Sequence, residues 1–125
     1  MFLTVFQVAL GGALGASARY LAGVAVMRLV GPGFPVAIMG VNILGSLLMG
    51  VFVVWAAERG LTHWAPFVMT GLLGGFTTFS AFSLEAVTLW ERGDVGQAAA
   101  YVGLSVVLSI GALVLGIWMA RSVFA

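Results

Sequence analysis

The sequence predicts an all-α membrane protein with four transmembrane helices per subunit, the third broken near its middle, and three observations carry that prediction. The chain is 62% hydrophobic and only 7% charged over 125 residues, where soluble domains hold roughly 25% charged residues. It contains four long apolar stretches, approximately residues 2–27, 35–57, 64–90 and 97–120. Each exceeds the about 20 residues that cross about 30 Å of hydrocarbon. Between Gly71 and Glu85, glycines, hydroxyls and phenylalanines crowd an otherwise apolar run. In lipid every backbone polar group must be satisfied by protein or trapped water, so a poor helix former at that depth implies a cavity, an ion or a partner chain.

The first span carries Ala16-Ser17-Ala18, which mimics a signal-peptidase site, but no Lys or Arg precedes the apolar run, so the segment is expected to remain as a permanent span. Arg19 lies deep within it and needs a partner or a snorkelling route. In the second span Asn42 is the only carboxamide of the membrane interior. An amide there must face a helix or a wet cavity, and interhelical glue and pore lining are both open readings. Gly11 with Gly15, Ser46 with Gly50 and Gly71 with Gly75 are small residues four apart, which allow close helix approach.

In the third span, Gly74-Gly75 followed by Thr77-Thr78 joins weak helix formers to hydroxyls that compete for backbone groups, so the helix is expected to break there and resume near Thr78. Unwound carbonyls suit a small hard cation, and the fresh N-terminus favours an anion. The other reading is a glycine-lined packing notch. Phe76, Phe79 and Phe82 recur every three residues, placing Phe79 and Phe82 on one face. They are either lipid and core contacts or rings whose positive edges meet an anion, with Thr78, Ser80 and Ser83 supplying hydroxyls nearby. The fourth span aligns Tyr101, Ser105 and Ser109 at intervals of four, a polar stripe suited to a hydrogen-bond acceptor.

The short connections, Arg28 to Phe34, Glu58 to His63 and Glu91 to Gly96, leave no room for an extramembrane domain, so residues 1–125 form one domain. Arg59 and Arg121 fall on one side of the membrane and Arg28 and Arg92 on the other, with no lysine anywhere. The positive-inside rule therefore gives little preference for either orientation. Dual topology follows as an expectation, and with it an antiparallel homodimer, since so small a chain has little interior in which to bury polar residues. No cysteines are present, which excludes a disulfide framework or thiolate metal site. No nucleophile, base and orienter stand together, nor does any phosphate loop, so an enzyme is not expected.

Three segments together resemble the Fluc (CrcB-type) family of small fluoride channels, and the match covers nearly the whole chain: Gly11 to Tyr20, Val41 to Ser46 and, above all, Gly74 to Ser80. The resemblance implies an antiparallel dual-topology homodimer in the inner (cytoplasmic) membrane, with two fluoride pores each built from both subunits. It also implies a structural Na⁺ at the dimer interface, held by backbone carbonyls of Gly74 and Thr77. The fluoride path would run along Asn42, Phe79, Phe82, Tyr101, Ser105 and Ser109. Arg19 would lie towards a vestibule, and Glu85 and Ser83 would be associated with the pathway more loosely. Two departures stand out: Ala81 where the family often has Thr, and Ala37-Ile38 in place of a Gly-Thr pair.

The function this implies is passive, electrodiffusive export that limits cytoplasmic fluoride. A small proton-coupled multidrug exporter shares the span count and the dual topology, but its chemistry needs a membrane-embedded carboxylate, normally in the first span. Here that span has no acid, and Glu85 is the only candidate. A non-transporting membrane scaffold is the third reading.

Overall fold

The structure is a computed structural model that describes residues 1–124, all four spans among them helical. Helix α1 is Phe2–Leu29 and α2 is Val36–Arg59. A turn of 3₁₀ helix at Thr62–Trp64 leads into α3 (66–76), which is π-helical over Pro66–Leu73 and α-helical over Gly74–Phe76. After two extended residues the span resumes as α4, Phe79–Glu91, and α5 covers Val95–Phe124. Each span runs one to four residues beyond one or both of its expected ends. Interfacial residues such as Arg28, Arg59 and Glu91 still propagate helical hydrogen bonds after the apolar run has stopped.

Helix ends fall where backbone chemistry dictates. Helix α2 stops at Gly60, whose φ of 66° is left-handed and costs glycine little. Pro66 opens α3, where its missing N–H would have had no helical acceptor. Tryptophans at the span ends, including Trp64, Trp90 and Trp118, are exposed, as expected of rings seated at the membrane boundary.

Packing divides the chain into two layers. Helix α1 lies along α3, while α2 lies along α5 in the most extensive contact of the fold, and α4 leans on α5. Both close approaches depend on residues without side chains. A Cβ on Gly71 would sit 2.9 Å from the Val8 carbonyl oxygen and 3.0 Å from Gly11 Cα, and one on Gly75 would sit 2.8 Å from the Gly12 oxygen. Gly50 and Gly116 play the same part between α2 and α5, facing Ile117 N at 3.0 Å and Val51 N at 3.1 Å. The small-residue pairs of the first three spans thus serve contacts within one chain.

The buried centre is small. Tyr101 is fully buried beside Leu89 and Ala98, with Phe34, Ile38, Met39, Phe82 and Ala86 packed around them. Most other large apolar side chains face outward, an arrangement that water would oppose and lipid does not.

Candidate functional site

The third span is interrupted at Thr77–Thr78, as the glycine and threonine pattern leads one to expect. Thr77 has φ −93°, ψ 160° and Thr78 φ −154°, ψ 123°, both extended. Up to Thr77 the helical ladder holds, with Thr77 N–H donating to the Leu73 carbonyl at 3.0 Å and the Thr77 hydroxyl donating to the same oxygen at 3.0 Å. Beyond it, backbone groups at membrane depth require new partners.

Side chains from three elements supply them. Asn42 on α2 pairs with the Thr78 peptide in both senses: its Oδ1 accepts from Thr78 N–H at 2.8 Å and its Nδ2 donates to the Thr78 carbonyl at 3.1 Å. Arg19 on α1 donates through Nε to the Gly75 carbonyl at 3.1 Å. Its positive charge meets the carbonyl end of α3, where the helix dipole favours a cation. Thr78 caps α4, its Oγ1 accepting from Ala81 N–H at 3.1 Å. Gly45 makes room for the break on the α2 side, since a Cβ there would run into Thr77 Cγ2 and stand 3.4 Å from the Phe76 ring.

Against the break lies a groove of about 480 Å³ that is open to the exterior rather than enclosed. Its wall includes Asn42, Phe79, Phe82, Ser105 and Ser109, so five of the six residues assigned to the ion path meet in one place. Phe79 and Phe82 meet at a tilt of 52° with centroids 5.5 Å apart, and Phe79 is 79% exposed. The sixth residue, Tyr101, does not line the groove. It lies behind Phe82, ring centroids 5.3 Å apart, and meets Phe34 edge-on at 5.6 Å. Tyr101 Oη and Ser105 Oγ are buried side-chain oxygens with no hydrogen-bond partner in the structure. Polar atoms in that state call for water or another ligand.

The more loosely assigned residues separate. Arg19 lines a second cavity of about 460 Å³ together with Arg28 and apolar residues such as Val24, Met27 and Ile38, so two arginines border one space. The Ser83 hydroxyl donates back to the Phe79 carbonyl at 3.0 Å and its proton is thereby spent on its own helix. Glu85 is half-buried on α4, one turn beyond Phe82 and beside Ala86 of the Tyr101 cluster. Among the described residues no three His, Cys, Asp or Glu side chains come together, so a cation here would depend on backbone oxygens.

Thr78, whose hydroxyl the sequence placed near the rings, lines the groove, but sequence reasoning did not assign Ser46, Met49 or Leu113, which line it too. Ser46 stands one helical turn after Asn42, a spacing that marks it as a neighbour on the same face. For Met49 and Leu113, apolar residues on apolar helices, the sequence holds no comparable signal.

A helix interrupted in the membrane, braced by neighbouring polar side chains and opening on a largely apolar groove that carries an amide and a few hydroxyls, defines a small polytopic protein built to handle an ion. Residues 6–117 match the family described as CrcB-like protein, Camphor Resistance (CrcB). The fluoride-specific ion channel FluC of Ruegeria sp. (strain TM1040) is 71% identical over 124 residues, covering 98% of each chain. That of Roseobacter denitrificans (strain ATCC 33942 / OCh 114) is 67% identical over 123 residues, 97% of this chain and 98% of the relative. The FluC of Paracoccus denitrificans (strain Pd 1222) is 53% identical over 122 residues, 98% of each chain. This chain belongs to the CrcB-like family.

Proposed function

We infer that this protein is a fluoride-specific ion channel through which the anion leaves the cytoplasm passively. Relatives 71%, 67% and 64% identical to this chain, matched over 98–100% of their length, bear that name. The observation that carries the reading at the level of chemistry is the groove itself, where Asn42, Ser105 and Ser109 meet the Phe79 and Phe82 rings.

Fluoride is small, strongly hydrated and a strong hydrogen-bond acceptor. Conducting it selectively means replacing its water with closely spaced donors without holding it too tightly. Asn42 spends one N–H and its oxygen on Thr78, which fixes the amide and leaves the second N–H free to donate. The Ser105 hydroxyl, buried and without a partner just behind the wall, is a further donor that a rotation of the side chain would present to the ion, and Ser109 follows one turn later. The positive edges of Phe79 and Phe82 complete a neutral lining that attracts an anion without trapping it. Tyr101, behind Phe82, fixes that ring and has its own hydroxyl in reserve. Arg19 and Arg28 give the second cavity a positive potential suited to gathering anions.

The working unit in this reading is an antiparallel homodimer of dual topology in the inner membrane, with two pores. Support comes from the opening of the groove to the exterior, the exposure of Phe79 and the even distribution of arginines between the two faces. A second copy laid across that opening would enclose the groove and cover the ring. The same reading adds a structural Na⁺ at that interface, supported by the exposure of Gly74 and by the diversion of the Thr78 and Ala81 N–H groups to Asn42 Oδ1 and Thr78 Oγ1 rather than to the Gly74 and Thr77 carbonyls. When bound, such an ion supplies positive charge to carbonyl oxygens that nothing else in the membrane would satisfy.

A proton-coupled exporter of organic cations is the less favoured reading. Its embedded acid would have to be Glu85, which does not line the groove among the described residues. The deciding experiment is fluoride-electrode recording of efflux from sealed liposomes holding purified protein, with chloride as competitor. Rapid, chloride-insensitive fluoride efflux is expected; equal permeation of both halides, or none, would overturn the channel reading.

A further inference from the structure

At the break, two hydrogen-bond donors are diverted from the partners a continuous helix would give them. The N–H of Thr78 would bond the Gly74 carbonyl four residues back, and the N–H of Ala81 would bond the Thr77 carbonyl. Instead Thr78 N–H goes to Asn42 Oδ1 at 2.8 Å, and Ala81 N–H goes to Thr78 Oγ1 at 3.1 Å. The carbonyl next to Gly74 has a different fate, because Gly75 O accepts from Arg19 Nε at 3.1 Å. Side chains therefore decide which carbonyls of the break are occupied and which are left over.

We propose that Asn42 and Thr78 are positioning residues for the cation: by taking the two backbone N–H groups, their side-chain oxygens keep the carbonyls of Gly74 and Thr77 free to bind it. The inference rests on the Na⁺ reading of the break and extends it to residues that need not touch the ion. It also makes Asn42 a physical link between two sites. The same amide that fixes the Thr78 backbone presents its remaining N–H to the anion groove, so loosening one end disturbs the other. Loss of either side-chain oxygen would release a donor towards a carbonyl that the cation requires, and the chain would then compete with the ion for its own oxygen.

The test is the Na⁺ dependence of thermal unfolding in detergent, at fixed protein concentration and without fluoride, with N-methyl-D-glucamine holding ionic strength constant. The parent is expected to gain stability with Na⁺ along a saturable curve. Thr78→Val, which keeps shape but lacks Oγ, should raise the half-stabilising Na⁺ concentration about tenfold, the equivalent of one ordinary hydrogen bond. Thr78→Ser restores the hydroxyl and should return it to within about twofold of the parent. Asn42→Ala should shift the midpoint as Thr78→Val does.

A purely structural role predicts something else, namely lower melting at every Na⁺ concentration with an unchanged midpoint, and that result would overturn the proposal. If Thr78→Val or Asn42→Ala fails to fold, the conservative variant decides: a Thr78→Ser protein that folds but has lost the parent's Na⁺ midpoint refutes it, and one that keeps it supports it. A parent without any Na⁺ response refutes both the cation site and this proposal. Fluoride flux from the same parent preparation then tells whether the channel reading stands without them.

Discussion

Adding one methyl group at Gly15 tests whether the α1–α3 contact sets the geometry of the break. A Cβ there would sit 2.8 Å from Phe76 N and 3.0 Å from the Leu72 carbonyl carbon, and closer still to the Leu72 oxygen. All three are backbone atoms, so no rotamer change can relieve the collision, and the helices must part by on the order of 1 Å. Overpacking of this kind costs about 1–3 kcal/mol, offset by up to about 1 kcal/mol because alanine is the better helix former. The expected net loss is about 1–2 kcal/mol, roughly a 5- to 30-fold fall in the folded-to-unfolded ratio. Thermal unfolding followed by tryptophan fluorescence would measure it, with Gly96→Ala as the control, since a Cβ at Gly96 meets nothing within 4 Å. Fluoride efflux should fall as well, because Arg19, one turn along the same helix, would be drawn off the Gly75 carbonyl. A Gly15→Ala protein as stable as the Gly96→Ala control would refute the reasoning.

Three further outcomes are expected. Ser105→Ala removes a buried hydroxyl that has no partner, so its melting temperature should hold or rise while fluoride efflux from liposomes drops about 10-fold or more, and a loss of stability with unchanged flux would contradict the assignment. Phe79→Ile exchanges a ring edge for an aliphatic side chain at an exposed position, and flux should fall with stability altered by less than about 0.5 kcal/mol; conduction at the parental rate would exclude the ring from the path. Glu85→Gln should leave fluoride efflux independent of an imposed proton gradient, measured with a pH dye and the fluoride electrode together; a proton gradient that drives the parent but not this variant would favour the exporter.

The residues show how far a linear reading reaches. Four spans could be read from composition because the bilayer imposes a single length and a single polarity on anything that crosses it. The interruption at Thr77–Thr78 could be read for a local reason: glycines and threonines within three or four residues of one another compete with the helix wherever they occur. Asn42, Phe79, Phe82, Ser105 and Ser109 could be named because polar or aromatic residues are conspicuous in such a chain. Their meeting in one groove could not, since it depends on α2 packing along α5 with glycines at the contact.

Residue order alone thus determined the membrane class, the number of crossings and the weak point in the third, each governed by short-range preference or by the thickness of the solvent. Tertiary structure alone decided that Asn42 would grip both faces of the Thr78 peptide, that Arg19 would cap Gly75 and that Tyr101 would stand behind Phe82. Those outcomes depend on distances between helices far apart in the chain, and backbone groups stranded in lipid accept whichever side chain the packing brings within 3 Å or so.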